Sequence, residues 1–147
     1  MDIKVAQTDE DIRACYEILV LLGKRRATLS EDQFLQQVKR QQENDGFILI
    51  YAEKDARKIA VAGYRYAEFL AYGKVLHLDD LVTREDVRSK GCGGRMMEWL
   101  ENQAIENDCE MFILGSGPER KRAHKFYFMK DFVIDDYYFG KKLGTKN

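Results

Sequence analysis

Asp79-Asp80-Leu81-Val82-Thr83-Arg84-Glu85-Asp86-Val87-Arg88-Ser89-Lys90-Gly91-Cys92-Gly93-Gly94-Arg95-Met96-Met97, continued by Glu98-Trp99-Leu100 and on to Ile105, decides how this chain folds. A strand pattern ends at Thr83, a charged turn follows, and the glycines arrive where a helix begins. From Gly94 onward Met96, Met97, Leu100 and Ala104 recur at helical spacing on one side, with Glu98, Glu101 and Asn102 on the other. The N-terminus of a helix leaves backbone N–H groups without intrahelical partners, and the aligned peptide dipoles make that end partly positive. Glycines placed just before it let the backbone approach a ligand closely and take positive φ without penalty. A loop of this kind suits an anion, and phosphate is the usual one.

The loop is not a dinucleotide fingerprint, because Gly91-x-Gly93-Gly94 has no third glycine at the required spacing. Nor is it a nucleoside-triphosphate loop, since Gly94 is followed by Arg95 and Met96 and not by Lys-Ser/Thr. What stands here is Arg88-x-x-Gly91-x-Gly93, behind a strand and ahead of an amphipathic helix. That combination resembles the acetyl-CoA pyrophosphate loop of the GNAT superfamily of N-acetyltransferases, Arg/Gln-x-x-Gly-x-Gly/Ala. The plain alternative is a glycine-rich strand-to-helix turn that binds nothing.

The 147 residues read as one domain, 1–147, long enough to bury a core. Lys+Arg 24 against Asp+Glu 25 creates no global field for nucleic acid or an anionic membrane. No apolar run approaches the ~20 residues of a membrane span, and Met1-Asp2-Ile3-Lys4 does not open a signal peptide. Cys15, Cys92 and Cys109 are widely spaced and suggest reduced thiols in a cytoplasmic protein, without a disulfide framework. With only His77 and His124 to add imidazole, no metal is expected.

Along the chain, residues 2–7 read as a short strand. Thr8-Asp9-Glu10-Asp11 starts a helix that Gly23 stops, and Ser30-Glu31-Asp32-Gln33 starts a second, ending near Glu43. The spans 47–53, 59–69 and 75–83 read as strands, the first two joined by the polar connection 54–58. After the glycine loop and its helix come a strand at 109–114, a turn at Gly115-Ser116-Gly117-Pro118, a helix at 119–129, and closing strands at 132–134 and 137–143. Pattern alone supports an α/β or α+β chain with a single sheet. The resemblance implies more: β-α-α-β-β-β-α-β-α-β-β, a mixed, mostly antiparallel sheet of about seven strands flanked by about four helices.

A second anchor is Arg120-Lys121-Arg122-Ala123-His124-Lys125-Phe126-Tyr127 followed by Asp131-Phe132, which is similar to the family's late motif Asn-x-x-Ala-x-x-Phe/Leu-Tyr with Gly-Phe shortly after. Two residues depart from it: Arg120 replaces the asparagine that contacts the cofactor, and Asp131 replaces the glycine. A cation at Arg120 can meet a phosphate instead. The resemblance implies that Gly91, Cys92, Gly93, Gly94 and Arg95 offer N–H groups to the pyrophosphate, with Arg88, Ser89 and Lys90 completing the charged loop. It further implies that Leu81 and Thr83 pair their backbone with the pantetheine arm and that the N–H near Val82 faces the oxyanion.

Tyr127 is the expected general acid, since a phenol with a reference pKa of ~10 can protonate a thiolate whose thiol titrates near ~8.5; the bland reading is a packed aromatic. The acceptor amine arrives as ammonium and must lose a proton. Gly73-Lys74-Val75-Leu76-His77-Leu78-Asp79-Asp80 resembles polyamine-type acetyltransferases, where an acid handles the amine. Adjacent strand residues point to opposite faces, so one acid only is expected at the chemistry, Asp79 first and Asp80 second. His77 is either a proton relay or a half-buried strand residue. Cys92 reads as a small residue between glycines, although a helix N-terminus can activate a thiol.

These readings converge on direct acetyl transfer from acetyl-CoA to a primary amine, either a small cationic amine or the lysine or N-terminal amine of a peptide. The competing class is an acyl-CoA-binding regulatory module without turnover. A homodimer joined through the tyrosine-rich C-terminal strands is a family-level expectation.

Overall fold

The computed structural model describes residues 1–144. Residues 1–114 form one compact unit and the residues from 115 onward a second. The first unit runs β1 (Asp2–Val5), α1 (Asp9–Leu19), α2 (Glu31–Asp45), β2 (Ile48–Lys54), β3 (Arg57–Phe69), β4 (Gly73–Thr83), α3 (Cys92–Glu106) and β5 (Met111–Leu114). The second holds α4 (Lys121–Met129).

Local chemistry sets most of these boundaries. Thr8 caps α1 by accepting from the Asp11 N–H at 3.1 Å, and Ser30 and Gln33 close a reciprocal capping box on α2. A 3-10 turn, Val20–Leu22, extends α1 up to Gly23, and Gly46 ends α2 in the left-handed conformation. The β2–β3 hairpin is tighter than the sequence suggests: Lys54 faces Arg57, and Asp55 and Ala56 turn the chain at φ 51° and 59°.

The sheet has five strands in the order β1-β2-β3-β4-β5. The first three pairings are antiparallel and β4–β5 is parallel. On one face, α1 and α2 bury Ile12, Ile18, Phe34 and Leu35 against Leu49, Tyr51, Val61 and Val82. On the other, α3 packs Met96, Met97 and Leu100, and Trp99 meets the Tyr64 ring edge-on at 6.3 Å.

Two irregularities set the geometry of the C-terminal half of β4. Gly63 faces Asp80 while its neighbour Tyr64 faces Leu78, so Asp79 is an extra residue without a partner, a β-bulge. At the bulge, Gly63 lies against Phe47, where an added Cβ would stand 2.3 Å from a ring carbon. The second irregularity is the pairing with β5, which runs only from Val75 opposite Met111 to Leu78 opposite Leu114. Residues 79–83 continue beyond it.

The expected strands at 132–134 and 137–143 are absent, which corrects the count from about seven to five. Apolar residues there carry strand propensity, but a strand exists only through a paired neighbour, and β5 ends the sheet among the described residues. Tyr137, Tyr138, Phe139 and Leu143 are exposed, so a contact through C-terminal strands has no strands to use. Within this second unit, α4 ends where Asp131 takes φ 64° and the N–H of Phe132 donates to Tyr127 O at 3.1 Å. The turn needs a positive φ that glycine adopts freely and aspartate tolerates.

Gly63→Ala is expected to lower unfolding stability by about 1–3 kcal/mol through overpacking. Phe47→Leu added to it recovers part of the loss, a non-additivity that a double-mutant cycle by urea denaturation measures.

Candidate active site

The loop entering α3 is braced at several points. Arg57 forms a two-pronged pair with Asp86, whose shorter arm is 2.6 Å, and Arg84 donates to Lys58 O at 2.8 Å and pairs with Glu17. A 3-10 turn, Glu85–Val87, leads to Arg88, which is paired with Glu85 at 3.6 Å. Ser89 and Gly91 take φ 66° and 82°, and Lys90 is exposed. Gly91 is the N-cap of α3 and has no side chain to cap with, unlike Thr8 and Ser30. The first intrahelical bond runs from the Arg95 N–H to Gly91 O at 3.1 Å. The N–H groups of Gly91, Cys92, Gly93 and Gly94 therefore precede the helical ladder. Cys92 itself is buried with Sγ 3.5 Å from Met1 Sδ, and burial pushes its thiol up, against the opposing charge of Arg95. It is a packing residue and not an activated nucleophile.

Upstream, Thr83, Val82 and Leu81 pair with Ala60, Val61 and Ala62 of β3, while their other side lies past the end of the β5 ladder. Val82 is buried among the α1 and α2 residues; Leu81 and Thr83 are half-buried. An extended ligand arm can be accepted along such a strand, as in β-strand addition.

The bulge decides where the acids go. His77 and Asp79 lie two apart on β4, and His77 Nδ1 is 2.8 Å from Asp79 Oδ1. Since a carboxylate only accepts, Nδ1 is the donor. Arg65, opposite His77, donates Nε to Asp79 Oδ2 at 3.1 Å and pairs through Nη2 as well. Asp80 faces Gly63, and its Oδ2 stands 3.4 Å from where a Gly63 Cβ would be, on the same side as Phe47. Arg65 lies over the Phe47 ring at 5.4 Å. Both acids thus share the α1–α2 face, and the expectation that strand alternation separates them is corrected by the extra residue.

Their environments differ. Burial tends to raise the Asp79 carboxyl, but the hydrogen bonds and charges of His77 and Arg65 outweigh it and hold Asp79 below the usual carboxylate range. At Asp80, burial wins over the opposing charge of Arg26 and pushes the carboxyl up. Arg26 pairs with Asp80 Oδ1, a buried atom with no other polar partner among the described residues.

In the second unit, Tyr127 packs against Phe126 at 5.5 Å and Phe132 at 6.0 Å between ring centroids. Burial raises its phenol, with Arg120 opposing. Arg120 is the exposed N-cap of α4. Sequence reading missed Arg26, Arg65 and Arg84, whose partners are remote in the chain. The bulge had one available signal, the lone glycine at position 63 inside a strand.

Comparison with known proteins bears on the family and the fold. A model of the acetyltransferase (GNAT) family matches residues 7–146. The uncharacterized N-acetyltransferase YhdJ of Bacillus subtilis (strain 168) is 28% identical over 124 residues, 84% of this chain and 87% of that one. A transcriptional regulator from Bacillus halodurans C-125 superposes with TM-score 0.82 at 19% identity, covering 97% of this chain and 99% of its own. The aminoglycoside 6'-N-acetyltransferase AAC(6')-IG of Acinetobacter haemolyticus superposes with TM-score 0.77 at 19% identity, covering 98% and 100%. The two structures share the fold.

The two carboxyl shifts have opposite consequences for stability. The lowered Asp79 contributes stability that is present above the unfolded carboxyl pKa of ~3.9 and lost as pH falls through its lower native value. The raised Asp80 favours the native state below ~3.9, and that contribution is lost as pH rises through its native value. Asp79→Asn is therefore expected to cost about 1–3 kcal/mol at pH 7, with a difference from the native chain that shrinks below pH ~4. Asp80→Asn is expected to cost less than Asp79→Asn, or to stabilise. Urea denaturation of both variants across pH 3.5–8 measures the contrast.

Proposed function

The chain belongs to the GNAT acetyltransferase family, and from that premise we propose that it moves the acetyl group of acetyl-CoA directly onto a primary amine of a cationic acceptor. That acceptor is a small amine, or the lysine or N-terminal amine of a peptide. One observation carries the reading: β4 outruns its β5 partner after Leu78 and leads within a few residues to a helix start that no side chain caps. Backbone donors for a phosphate and an unpaired strand side for an extended arm are what acetyl-CoA requires.

In this reading the N–H groups of Gly91, Cys92, Gly93 and Gly94 face the pyrophosphate, the expected N–H of Arg95 being taken by the first helical bond to Gly91 O, and Arg88 and Lys90 add positive charge. Leu81 and Thr83 pair with the pantetheine arm, and a backbone N–H near Val82 on that open edge faces the carbonyl oxygen as it gains charge. The neutral amine nitrogen forms the new C–N bond as the C–S bond breaks, and the second N–H proton it then sheds to solvent offsets the one that Tyr127 gives to sulfur. The geometry favours Asp80 over Asp79 as the group that takes the ammonium proton. A carboxyl raised by burial is the better base near neutral pH, whereas Asp79 is committed to Arg65 and His77. Tyr127 supplies the proton to the departing thiolate, and its raised phenol stays protonated at working pH. Arg120 is proposed to meet a cofactor phosphate in place of the family's asparagine.

Calorimetric titration with acetyl-CoA tests the loop. Gly91→Glu puts a carboxylate at the phosphate position and a side chain on a backbone at φ 82°, and is expected to weaken binding at least tenfold. Tyr127→Phe is expected to keep acetyl-CoA affinity within threefold while lowering turnover of an amine panel at least tenfold. Binding by the native chain with no turnover on any amine favours an acyl-CoA-binding module, and no binding overturns both readings.

A further inference from the structure

Asp79 and Asp80 are unequal in what neutralises them. Asp79 has Arg65, itself held by the β3 ladder, and His77 from its own strand. Asp80 has, among the described residues, a single ion pair, with Arg26. Arg26 comes from no helix or strand of the core. It sits in the short 3-10 segment Lys24–Thr28, entered through Gly23 and Lys24 at φ 68° and 57°. That segment is fastened locally, by Thr28 Oγ1 donating to Arg25 O at 2.7 Å and by Tyr16 Oη donating to Leu29 O at 2.5 Å. The Asp80 side chain is 14% exposed and that of Arg26 37%. A mostly buried acid is thus reached from solvent by an arm whose own stem is partly in water.

Among the described residues, Arg26 supplies one of the two guanidiniums that meet the three carboxylates Asp45, Asp79 and Asp80 on this face. Arg65 also approaches Asp45, at 3.7 Å, so its one positive charge is divided between Asp79 and Asp45. Without Arg26, Asp80 keeps a buried oxygen with neither hydrogen bond nor counter-ion, a costly arrangement for a carboxylate. A cation that takes the place of Arg26 there restores the ion pair that Asp80 would otherwise lose. A primary ammonium is one, and the proposed base lies at the spot where that ammonium must bind.

We propose that Arg26 is an internal occupant of the acceptor site, a tethered cation that holds Asp80 until a cationic amine exchanges with it, and so restricts acceptors to those bearing positive charge. This rests on the acetyltransferase reading and adds to it the means of acceptor selection. A neutral acceptor has nothing to offer Asp80 in exchange for the guanidinium. A cationic one replaces like with like and delivers its ammonium proton to the group that accepts it. Arg26 is then a specificity-determining residue that competes with substrate.

The test uses two cations as probes, methylguanidinium and 1,4-diaminobutane, titrated into the isotopically labelled native chain without acetyl-CoA, with the backbone amides of Gly63 and Asp80 followed by NMR. Arg26→Ala and Arg26→Gln are each expected to bind both probes at least threefold more tightly than the native chain. Arg26→Lys returns affinity toward the native value, and Asp80→Asn combined with Arg26→Ala abolishes the gain. The proposal is overturned if removing Arg26 leaves probe affinity unchanged or weakens it, or if the gain survives Asp80→Asn. Acetyl-CoA titration of the same samples keeps the two readings apart. Cation competition without cofactor binding defeats the transferase reading, and cofactor binding without competition defeats only the role of Arg26.

Discussion

The extra residue in β4 is the constraint on which the rest of this structure depends. An unbroken antiparallel ladder would send Asp79 and Asp80 to opposite faces, one toward α1 and α2 and the other toward α3. Placing Asp79 without a partner between Leu78 and Asp80 resets the alternation. Burial continues on both sides of the bulge: Leu76 and Leu78 before it are buried on the α3 face, and Val82 after it on the α1–α2 face. Only a glycine fits opposite, because the Phe47 ring fills the volume a side chain would need. The bulge, Gly63 and Phe47 therefore form one unit, in which a cost in strand regularity is exchanged for two carboxylates on one surface.

Having put the acids together, the fold treats them differently. Arg65 and His77 keep Asp79 charged and fixed, and that pair contributes to stability at neutral pH. The mostly buried Asp80 side chain has, among the described residues, one ion pair, with Arg26, and its carboxyl is raised. Two like groups whose environments push their titrations apart are the pattern expected where one orients or balances charge and the other exchanges a proton. A group kept at a cost to stability is also what a stability–activity trade-off predicts at a working site.

Features governed by neighbouring residues were legible in the sequence. Thr8 and the Ser30–Gln33 box start their helices because a cap needs only three or four residues, and Gly91 precedes α3 for the same local reason. The succession of elements along the chain up to β5 came from periodicity and from the resemblance carried by Arg88-x-x-Gly91-x-Gly93. Three things were not legible. The bulge depends on how β3 and β4 align, which alternation within either strand does not encode. The pairs Arg65–Asp79, Arg26–Asp80 and Arg84–Glu17 join residues far apart in the chain, and charges at those separations carry no spacing rule. The segment after Phe132 has strand-like composition, yet composition cannot supply the neighbouring strand that makes it one.

In the proposed reaction β4 serves both substrates, and its geometry explains how one strand manages this. Its backbone beyond Leu78 is free of β5 on one edge, which suits an extended acyl-pantetheine arm lying in the plane of the sheet. Its side chains at Asp79 and Asp80 stand out of that plane, on the α1–α2 face, which suits a cation approaching from above. Edge and face are perpendicular directions from the same few residues, so the two ligands meet without competing for space. A bulge placed several residues earlier would put the acids alongside paired β5, where the edge is closed. Placed later, it would carry them past the start of the loop to α3. The coincidence of bulge and ladder end within residues 78–80 is what lets one strand present an open edge and an acidic face together.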